Sequence, residues 1–292
     1  MLTEGRVTAR MADLWSLDWV GRSGMFAALH SVAKRLPELG WPNVELLNEM
    51  ADDCGRRIVN ARGQRIRFVE QISKPARFED RFEPRTYLGG EVLVRPLSWH
   101  DLFNALVWMA FPTAKAMINA RHYMALTSQT DSRRSATGDA LTIFDEDGLV
   151  VLSTDHGLLD LLREFRWKEL FWERRDETRN RARFLMFGHA MYEKALNPFT
   201  GMTGKALLFS VPDETLRLQG CELNAAVDQL VAAHVHNPAN LQHGRALAPL
   251  PVLGVPGWWS QNENGAFYDN KTYFRPGRLR ARNQLPASRS IS

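Results

Sequence analysis

The sequence predicts an α+β fold that is mainly α, with two or three short β-hairpins or strands and an irregular, aromatic-rich C-terminal segment. Segments with helical apolar spacing are longer than the extended segments between them. These elements do not alternate in the βαβ order of a doubly wound parallel sheet. Hydrophobic residues make up 45% of the 292 residues and charged residues 24%, which is the composition of a globular protein.

The first hundred residues contain both kinds of element. Pro37 ends the first helix, and the second has Pro42 near its start and Gly55 at its end. In order, we predict helices at 26–36 and 42–55, a β-hairpin with one arginine-rich face at 56–71, an irregular connection at 73–90 and a strand at 91–97.

Ser98 begins the most informative stretch of the chain. The Ser98 hydroxyl can accept from the amide of Asp101, whose negative charge also favours the start of a helix. This helix should run to about Ala110, and Pro112 should open a second helix that ends near Leu126. We expect a polar loop at 127–139.

The remaining elements follow the same two patterns. Asp147-Gly148 is a typical hairpin turn between two β-rich runs. We predict a hairpin at 141–153, helices at 156–166 and 183–196 with an exposed charged segment between them, a strand at 205–211 and a helix at 220–234.

Composition limits the classes of protein. The two cysteines, Cys54 and Cys221, show no CxxC pattern, so we expect a reducing, cytoplasmic location with no disulfide framework. The N-terminus lacks the apolar core of a signal peptide, and no run of about eighteen apolar residues predicts a membrane span.

The positive charge of the chain is concentrated at its end. The net charge is +4, but residues 271–292 hold six Lys or Arg and no acid. We therefore predict a single globular domain over 1–270 and a basic, disordered tail over 271–292. That tail predicts weak contact with nucleic acid or an acidic surface, while the body is not broadly cationic.

Polar side chains form two stripes on otherwise apolar helices. With about 100° per residue, His100 and Asn104 share a stripe with Asp101 beside it, and Lys115, Asn119 and His122 form another. A helix that is apolar nearly all round is buried, and buried polar groups need partners. The two stripes should therefore face each other or a shared cavity.

A third segment supplies further candidates. His189 and Glu193 are four residues apart and point the same way from a helix. If the three helices converge, His100, His122, His189 and Glu193 could hold a divalent metal whose bound water serves as a nucleophile. The full candidate catalytic set is His100, Asp101, Asn104, Lys115, Asn119, His122, His189 and Glu193.

Within this hypothesis the residues have separate roles. The histidines hold metal or shuttle protons, Glu193 or Asp101 acts as base, and Lys115 orients an anionic group. The expected activity is a metal-assisted or acid–base hydrolase. No HExxH motif is present, and a purely structural polar network or a metal-free pocket explains the same pattern.

Other polar clusters have simpler interpretations. Asp145, Glu146 and Asp147 lack the length of a calcium loop, and we read them as the solvated tip of a hairpin. The alternative function is a noncatalytic binding protein that contacts nucleic acid or an acidic partner through the basic tail and the arginine-rich hairpin (Arg56, Arg57, Arg62, Arg65 and Arg67).

Five segments resemble one bacterial family, known as domain of unknown function 3025. The resemblance extends over most of residues 40–276 and implies a bacterial protein, but it brings no activity, cofactor or catalytic residue. The segments, in the family's order, are WHDLFNALVWMAFPTAKAMINARH (99–122), DALTIFDEDGLVVLS (139–153), FRWKELFW (165–172), FGHAMYEKALNPFTGMTGKALL (187–208) and LPVLGVPGWW (250–259).

Overall fold

A computed structural model describes residues 15–72, 75–128 and 135–277. In chain order, its α-helices are α1 (Trp19–Arg22), α2 (His30–Ala33), α3 (Val44–Asp52), α4 (Phe82–Gly89), α5 (Trp99–Ala110), α6 (Pro112–Thr127), α7 (Ala136–Asp147), α8 (His156–Arg163), α9 (Arg175–Arg181), α10 (His189–Leu196), α11 (Asp213–Arg217) and α12 (Gly220–His236). The fold is α+β and mainly α, as predicted. Among these residues no helix is long and apolar enough to cross a membrane.

The strands form two small sheets. They are β1 (Arg67–Glu70), β2 (Glu91–Val94), β3 (Gly148–Ser153), β4 (Ala182–Met186), β5 (Thr203–Ser210) and β6 (Ala248–Pro251). The larger sheet has the order β4-β3-β5-β6, in which β3 is antiparallel to β4 and parallel to β5. Strand β3 is one of the two inner strands of this sheet, and all six of its residues are buried.

The first predicted hairpin is reduced to a single bridge. Val59 pairs with Arg65 across a tight turn, and β1 then pairs in parallel with β2. The connection between these strands contains α4, where an irregular segment was expected. Gly90, at φ +75°, ends α4 in the left-handed conformation and lets the chain turn into β2.

The predicted hairpin at 141–153 is wrong. Residues 141–147 belong to α7, which Ser135 caps by accepting from the Gly138 amide, and only 148–153 form a strand. Leu141 and Phe144 are buried one helical turn apart, so burial follows the helical period and not the alternation of a strand.

The helix predicted at 183–196 also begins later. Residues 182–186 form β4 beside β3, and α10 starts at His189. The amides of Phe187 and Gly188 both donate to the carbonyl of Gly148, at 3.0 and 2.9 Å. The end of β4 is thereby fixed against the start of β3, where α7 ends.

Helix α5 lies at the centre of the helical layer. The Ser98 side chain accepts from the Asp101 amide as predicted, and His100 is the one residue of α5 that is not buried. Helix α12 packs along α6, where Asp228 accepts from the amides of Thr113 and Ala114 at the start of α6. This buried carboxylate occupies the positive end of that helix.

The aromatic C-terminal segment is part of the core. It consists of short 3-10 turns at Val252–Gly254, Ser260–Glu263 and Gly265–Asp269. Tyr273 and Phe274, within the segment predicted as tail, are also buried. Residues 278–292, most of that predicted tail, lie outside the described residues.

Candidate functional site

Two histidines from different helices meet edge to face. His100 lies in the first turn of α5 and His189 is the first residue of α10, and these helices pack together. The ring centroids are 4.5 Å apart, with planes at 80°. Their Nε2 atoms are 3.0 Å apart, so the two imidazoles point at one common position.

The other nitrogen of each ring faces a carboxylate. Nδ1 of His100 lies 3.2 Å from Oε2 of Glu193, and this hydrogen bond raises the pKa of His100 against the effect of partial burial. Nδ1 of His189 lies 3.6 Å from Oδ2 of Asp145, beyond hydrogen-bonding distance, and has no hydrogen-bond partner in the described residues. Burial lowers the pKa of His189 to about 3.

A buried ion pair fixes Asp145. Nζ of Lys115 lies 2.5 Å from Oδ1 of Asp145, and neither residue is more than 8% exposed. Burial alone would raise the pKa of Asp145, but the Lys115 ammonium and His189 outweigh it, so the pKa falls below its ordinary value. Asp145 is therefore an anion held beside His189. Lys115 is enclosed and bonded to Asp145, and it is not among the described residues that line the cavity.

His100, His189 and Asp145 line a cavity of about 340 Å³. At another part of the wall, the Glu83 carboxylate accepts from Nδ2 of Asn119 at 2.5 Å, with His122 nearby. Burial raises the pKa of Glu83 above its ordinary value, although His122 and Asn119 act in the opposite direction. Phe82, Leu93, Ala125 and Leu126 form an apolar part of the wall, and the rest of the lining is mainly polar.

The Asp101 carboxylate is held by hydrogen bonds from one neighbour, Arg95. Its two carboxylate oxygens accept from Nε and Nη2 of Arg95 at 2.7 and 2.8 Å, and Oδ2 also accepts from the Arg95 amide. These three hydrogen bonds leave neither carboxylate oxygen of Asp101 without a donor. Its contacts favour a role that joins the start of α5 to the end of β2 over the predicted role as base.

The predicted residues thus fall into three positions. Glu193 lies at the outer edge, bonded to His100. Lys115 and Asn119 lie behind the wall, bonded to Asp145 and Glu83. The cavity itself is lined by His100, Asp101, Asn104, His122 and His189. Asn104 is 4% exposed, and its Oδ1 has no hydrogen-bond partner in the described residues.

Sequence reasoning missed the acidic residues of the site. Asp145 and Glu146 were interpreted as a solvated hairpin tip, but they are in the last turn of α7 and line the cavity. Glu83 and Arg95 were assigned to irregular and extended segments and were not singled out. Leu141 and Phe144, one turn apart before Asp145, were the available signal for a buried helix.

The residues placed to hold a metal ion differ from the predicted set. Among the described residues, the ligand atoms of His100, Glu146 and His189 lie within 4.8 Å of one another. His122 and Glu193, both in the predicted set, are not in this group. Glu193 instead bonds the nitrogen of His100 that points away from the common position.

Most arginines of the predicted binding hairpin already have partners. Arg56 pairs with the buried Asp228 at 3.3 Å, and Arg65 and Arg67 both face Asp52. The Arg62 guanidinium lies 5.9 Å from the centre of the Tyr87 ring. This pattern stabilises the local structure and leaves few free cations for the proposed acidic partner.

The chain belongs to the family described as "Protein of unknown function (DUF3025)", which matches residues 66–278. The matched region contains all the residues that line the cavity. Neither a curated protein nor a solved structure matches the chain.

Proposed function

We propose that the protein is a metal-dependent hydrolase whose divalent ion is held by Nε2 of His100, Nε2 of His189 and the carboxylate of Glu146. The observation that carries this proposal is the 3.0 Å separation of the two Nε2 atoms, each on a ring whose other nitrogen faces a carboxylate. Histidine and carboxylate are the ligands of catalytic zinc sites that keep a position open for water.

The carboxylates beside the two Nδ1 atoms support a cation at the common position. A carboxylate beside Nδ1 favours the tautomer with the proton on Nδ1, which leaves Nε2 as a lone pair. If both rings adopt it, two lone pairs lie close together, which is unfavourable unless both nitrogens bind one cation. Two nitrogens about 2.0–2.1 Å from one zinc ion, at about 90–109°, are separated by about 2.8–3.4 Å.

The surrounding residues would orient these ligands. Glu193 holds the His100 ring, and Asp145, fixed by Lys115, faces Nδ1 of His189. Such outer carboxylates set the tautomer and increase the basicity of the ligating nitrogen. Lys115 is a positioning residue in this arrangement, because it acts on His189 through Asp145.

Hydrolysis would take place in the cavity beside this group. The bound ion would supply a water of lowered pKa as the nucleophile. Glu83 shares the cavity, and its raised pKa suits a proton donor to the leaving group. The apolar part of the wall would hold the uncharged part of a substrate and exclude bulk water.

A metal-free acid–base pair is the second candidate. One proton between the two Nε2 atoms would satisfy the same geometry, with His100 as the imidazolium and His189 neutral. The raised pKa of His100 and the lowered pKa of His189 favour this distribution of the proton. In that case the pair would transfer protons and no metal would be present.

Metal content separates the two candidates. Protein purified without chelator should contain about one equivalent of a divalent transition metal by elemental analysis. His100→Ala, His189→Ala and Glu146→Gln should each lose it. His122→Ala, which changes another cavity residue outside the ligand group, should retain it. Wild-type protein without metal, and without zinc uptake after chelator treatment, would rule out the metal site and leave the acid–base pair.

A cytoplasmic location and a bacterial source are further parts of the proposal. Cys54 and Cys221 are both free, which supports a reducing compartment. The resemblance of the five sequence segments supports the bacterial source.

A further inference from the structure

A second polar depression lies away from the metal-ligand group. It is a groove of about 630 Å³, and its lining is mostly polar. Three arginines from three different elements meet there: Arg181 at the end of α9, Arg183 in β4 and Arg217 at the end of α11. The groove is completed by Thr154, Asn180, Asp213, Leu216 and Gln219.

Among the described residues, these arginines form no close ion pair with a carboxylate. Within the described residues, none of the three has a carboxylate oxygen within 4.0 Å, in contrast to most arginines of the hairpin. Glu177, one turn before Arg181, hydrogen-bonds to Arg174 instead. The guanidinium of Arg183 is fixed by hydrogen bonds to two backbone carbonyls, those of Arg179 and Ala182, each at 3.0 Å.

Among the described residues that line the groove, Asp213 is the only acidic one. It lies one helical turn before Arg217 but forms no ion pair with it. The lining therefore carries three positive charges and one negative charge. Guanidinium groups match the oxygens of a phosphate in geometry and charge, and the neutral side chains of Thr154, Asn180 and Gln219 can add hydrogen bonds.

The larger sheet separates this groove from the metal-ligand group. Strand β3 begins at Gly148, next to Glu146, and ends at Ser153, next to Thr154 in the groove. Strand β4 begins at Ala182, between two groove arginines, and ends at Met186 near His189. Six residues of strand span about 20 Å, so one ligand group does not directly bridge the two places.

We propose that this groove is a binding site for the phosphate group of a small phosphorylated molecule. The volume exceeds what inorganic phosphate needs and leaves room for an attached organic group. The proposal does not depend on the hydrolase activity, because the groove shares no residue with the metal-ligand group.

Calorimetric titration of the full chain in chelator-containing buffer tests this site. The probes are adenosine 5′-monophosphate, inorganic pyrophosphate and adenosine. We expect saturable binding of the two phosphate-bearing probes and none of adenosine. Tighter binding of the nucleotide would identify an organic phosphate as the ligand, and tighter binding of pyrophosphate would identify an inorganic one.

Charge-matched variants locate the site. The double variant Arg181→Gln, Arg217→Gln should weaken binding at least about tenfold. The control Arg35→Gln, Arg163→Gln removes the same charge from exposed ion pairs outside the groove and should leave binding unchanged. Asp213→Asn should tighten binding about fivefold, because it removes one unit charge from the groove.

Three outcomes would contradict a phosphate site in this groove. No saturable binding of either phosphate-bearing probe would overturn it, and so would equal weakening in the two double variants. Glu146→Gln should bind the probes normally, so failure of the metal site and failure of the groove are distinguishable. Loss of binding in Glu146→Gln would place the phosphate in the metal cavity and reject the groove.

Discussion

At the scale of single residues, the contacts of the histidines decide their chemistry. His100 and His189 have the same side chain, but their pKa values shift in opposite directions. The hydrogen bond to Glu193 raises the pKa of His100, and burial lowers the pKa of His189. A pair with opposed proton affinities at 3.0 Å is suited to share a cation or a proton. The carboxylates of Glu193 and Asp145, which face the two Nδ1 atoms, therefore influence proton and metal binding as much as the imidazoles do.

Removal of the Glu193 carboxylate should weaken metal binding without unfolding the protein. Glu193→Ala takes away the acceptor that fixes the Nδ1 proton of His100, so zinc affinity should fall about 10–100-fold. Competition with a fluorescent chelator measures this affinity. Glu222→Ala, an exposed glutamate on α12, is the matched control and should bind zinc normally. Equal affinity in both variants would contradict the orienting role of Glu193.

The half-buried Glu83, whose carboxyl lines the cavity, should make stability depend on pH. Its folded pKa is raised above its ordinary value, so the folded state binds more protons between the two pKa values. Stability should therefore fall as pH rises through the folded pKa, and Glu83→Gln should abolish this loss.

The measurement is the melting temperature of both proteins across pH. Glu83→Gln should melt higher than the wild type at pH 8, and the difference should shrink towards pH 4, where Glu83 is protonated in both states. A constant difference at every pH would show that Glu83 is not the titrating group.

At the scale of elements, one crossing of backbone assembles the site. Glu146 lies in the last turn of α7 and His189 begins α10, and the chain segments that contain them touch at Gly148 and Gly188. A Cβ added to Gly188 would lie 2.3 Å from the carbonyl oxygen of Glu146 and 2.4 Å from the amide nitrogen of Gly148. The absence of a side chain at this position lets a ligand from each element approach.

Gly188→Ala should therefore separate the ligands. The added methyl group requires the backbone to move, which should cost about 1–3 kcal/mol of stability and also weaken zinc binding. Chemical denaturation and zinc titration measure the two effects. Gly21→Ala is the control, because nothing lies within 4 Å of its added Cβ. Normal zinc affinity in Gly188→Ala would show that the crossing does not position the ligands.

At the scale of the whole molecule, the C-terminal segment closes the core. Arg175 donates to Asn262 and to the hydroxyl of Tyr268, and Nδ2 of Asn262 donates to the carbonyls of Leu253 and Val255. The hydroxyl of Tyr273 donates to Met202, next to β5. A segment without long helices is held by side chains that satisfy its backbone.

Arg175→Met should destabilise the entire protein. It keeps much of the side-chain volume but leaves several buried acceptors without donors, so the loss should be about 3–5 kcal/mol. Unfolding followed by tryptophan fluorescence and by circular dichroism should shift to lower denaturant with both signals together. Arg163→Met, an exposed residue on α8, should change stability little. A change confined to fluorescence would mean that the segment unfolds separately.

The sequence predicted the elements whose signals are local. Ser98 and Pro112 marked the starts of α5 and α6 because a helix cap and a proline act within one turn of backbone. The helical period also identified buried polar residues on both helices, and five of the predicted residues line one cavity. Residues 141–147 were assigned to a hairpin because the Asp147-Gly148 dipeptide fits a hairpin turn as well as it fits the end of a helix.

The residue types and the helical stripes were thus determined by the sequence alone: imidazole, amide and carboxyl groups on α5, α6 and α10, in a chain that is mainly helical. Only the tertiary structure decided which of them meet. The ligand group needs Glu146 beside His189, and that neighbourhood depends on the pairing of β3 with β4, which are about thirty residues apart in the chain. Pairing between strands this far apart in the chain is selected by burial of the whole sheet, so no local sequence pattern predicts it.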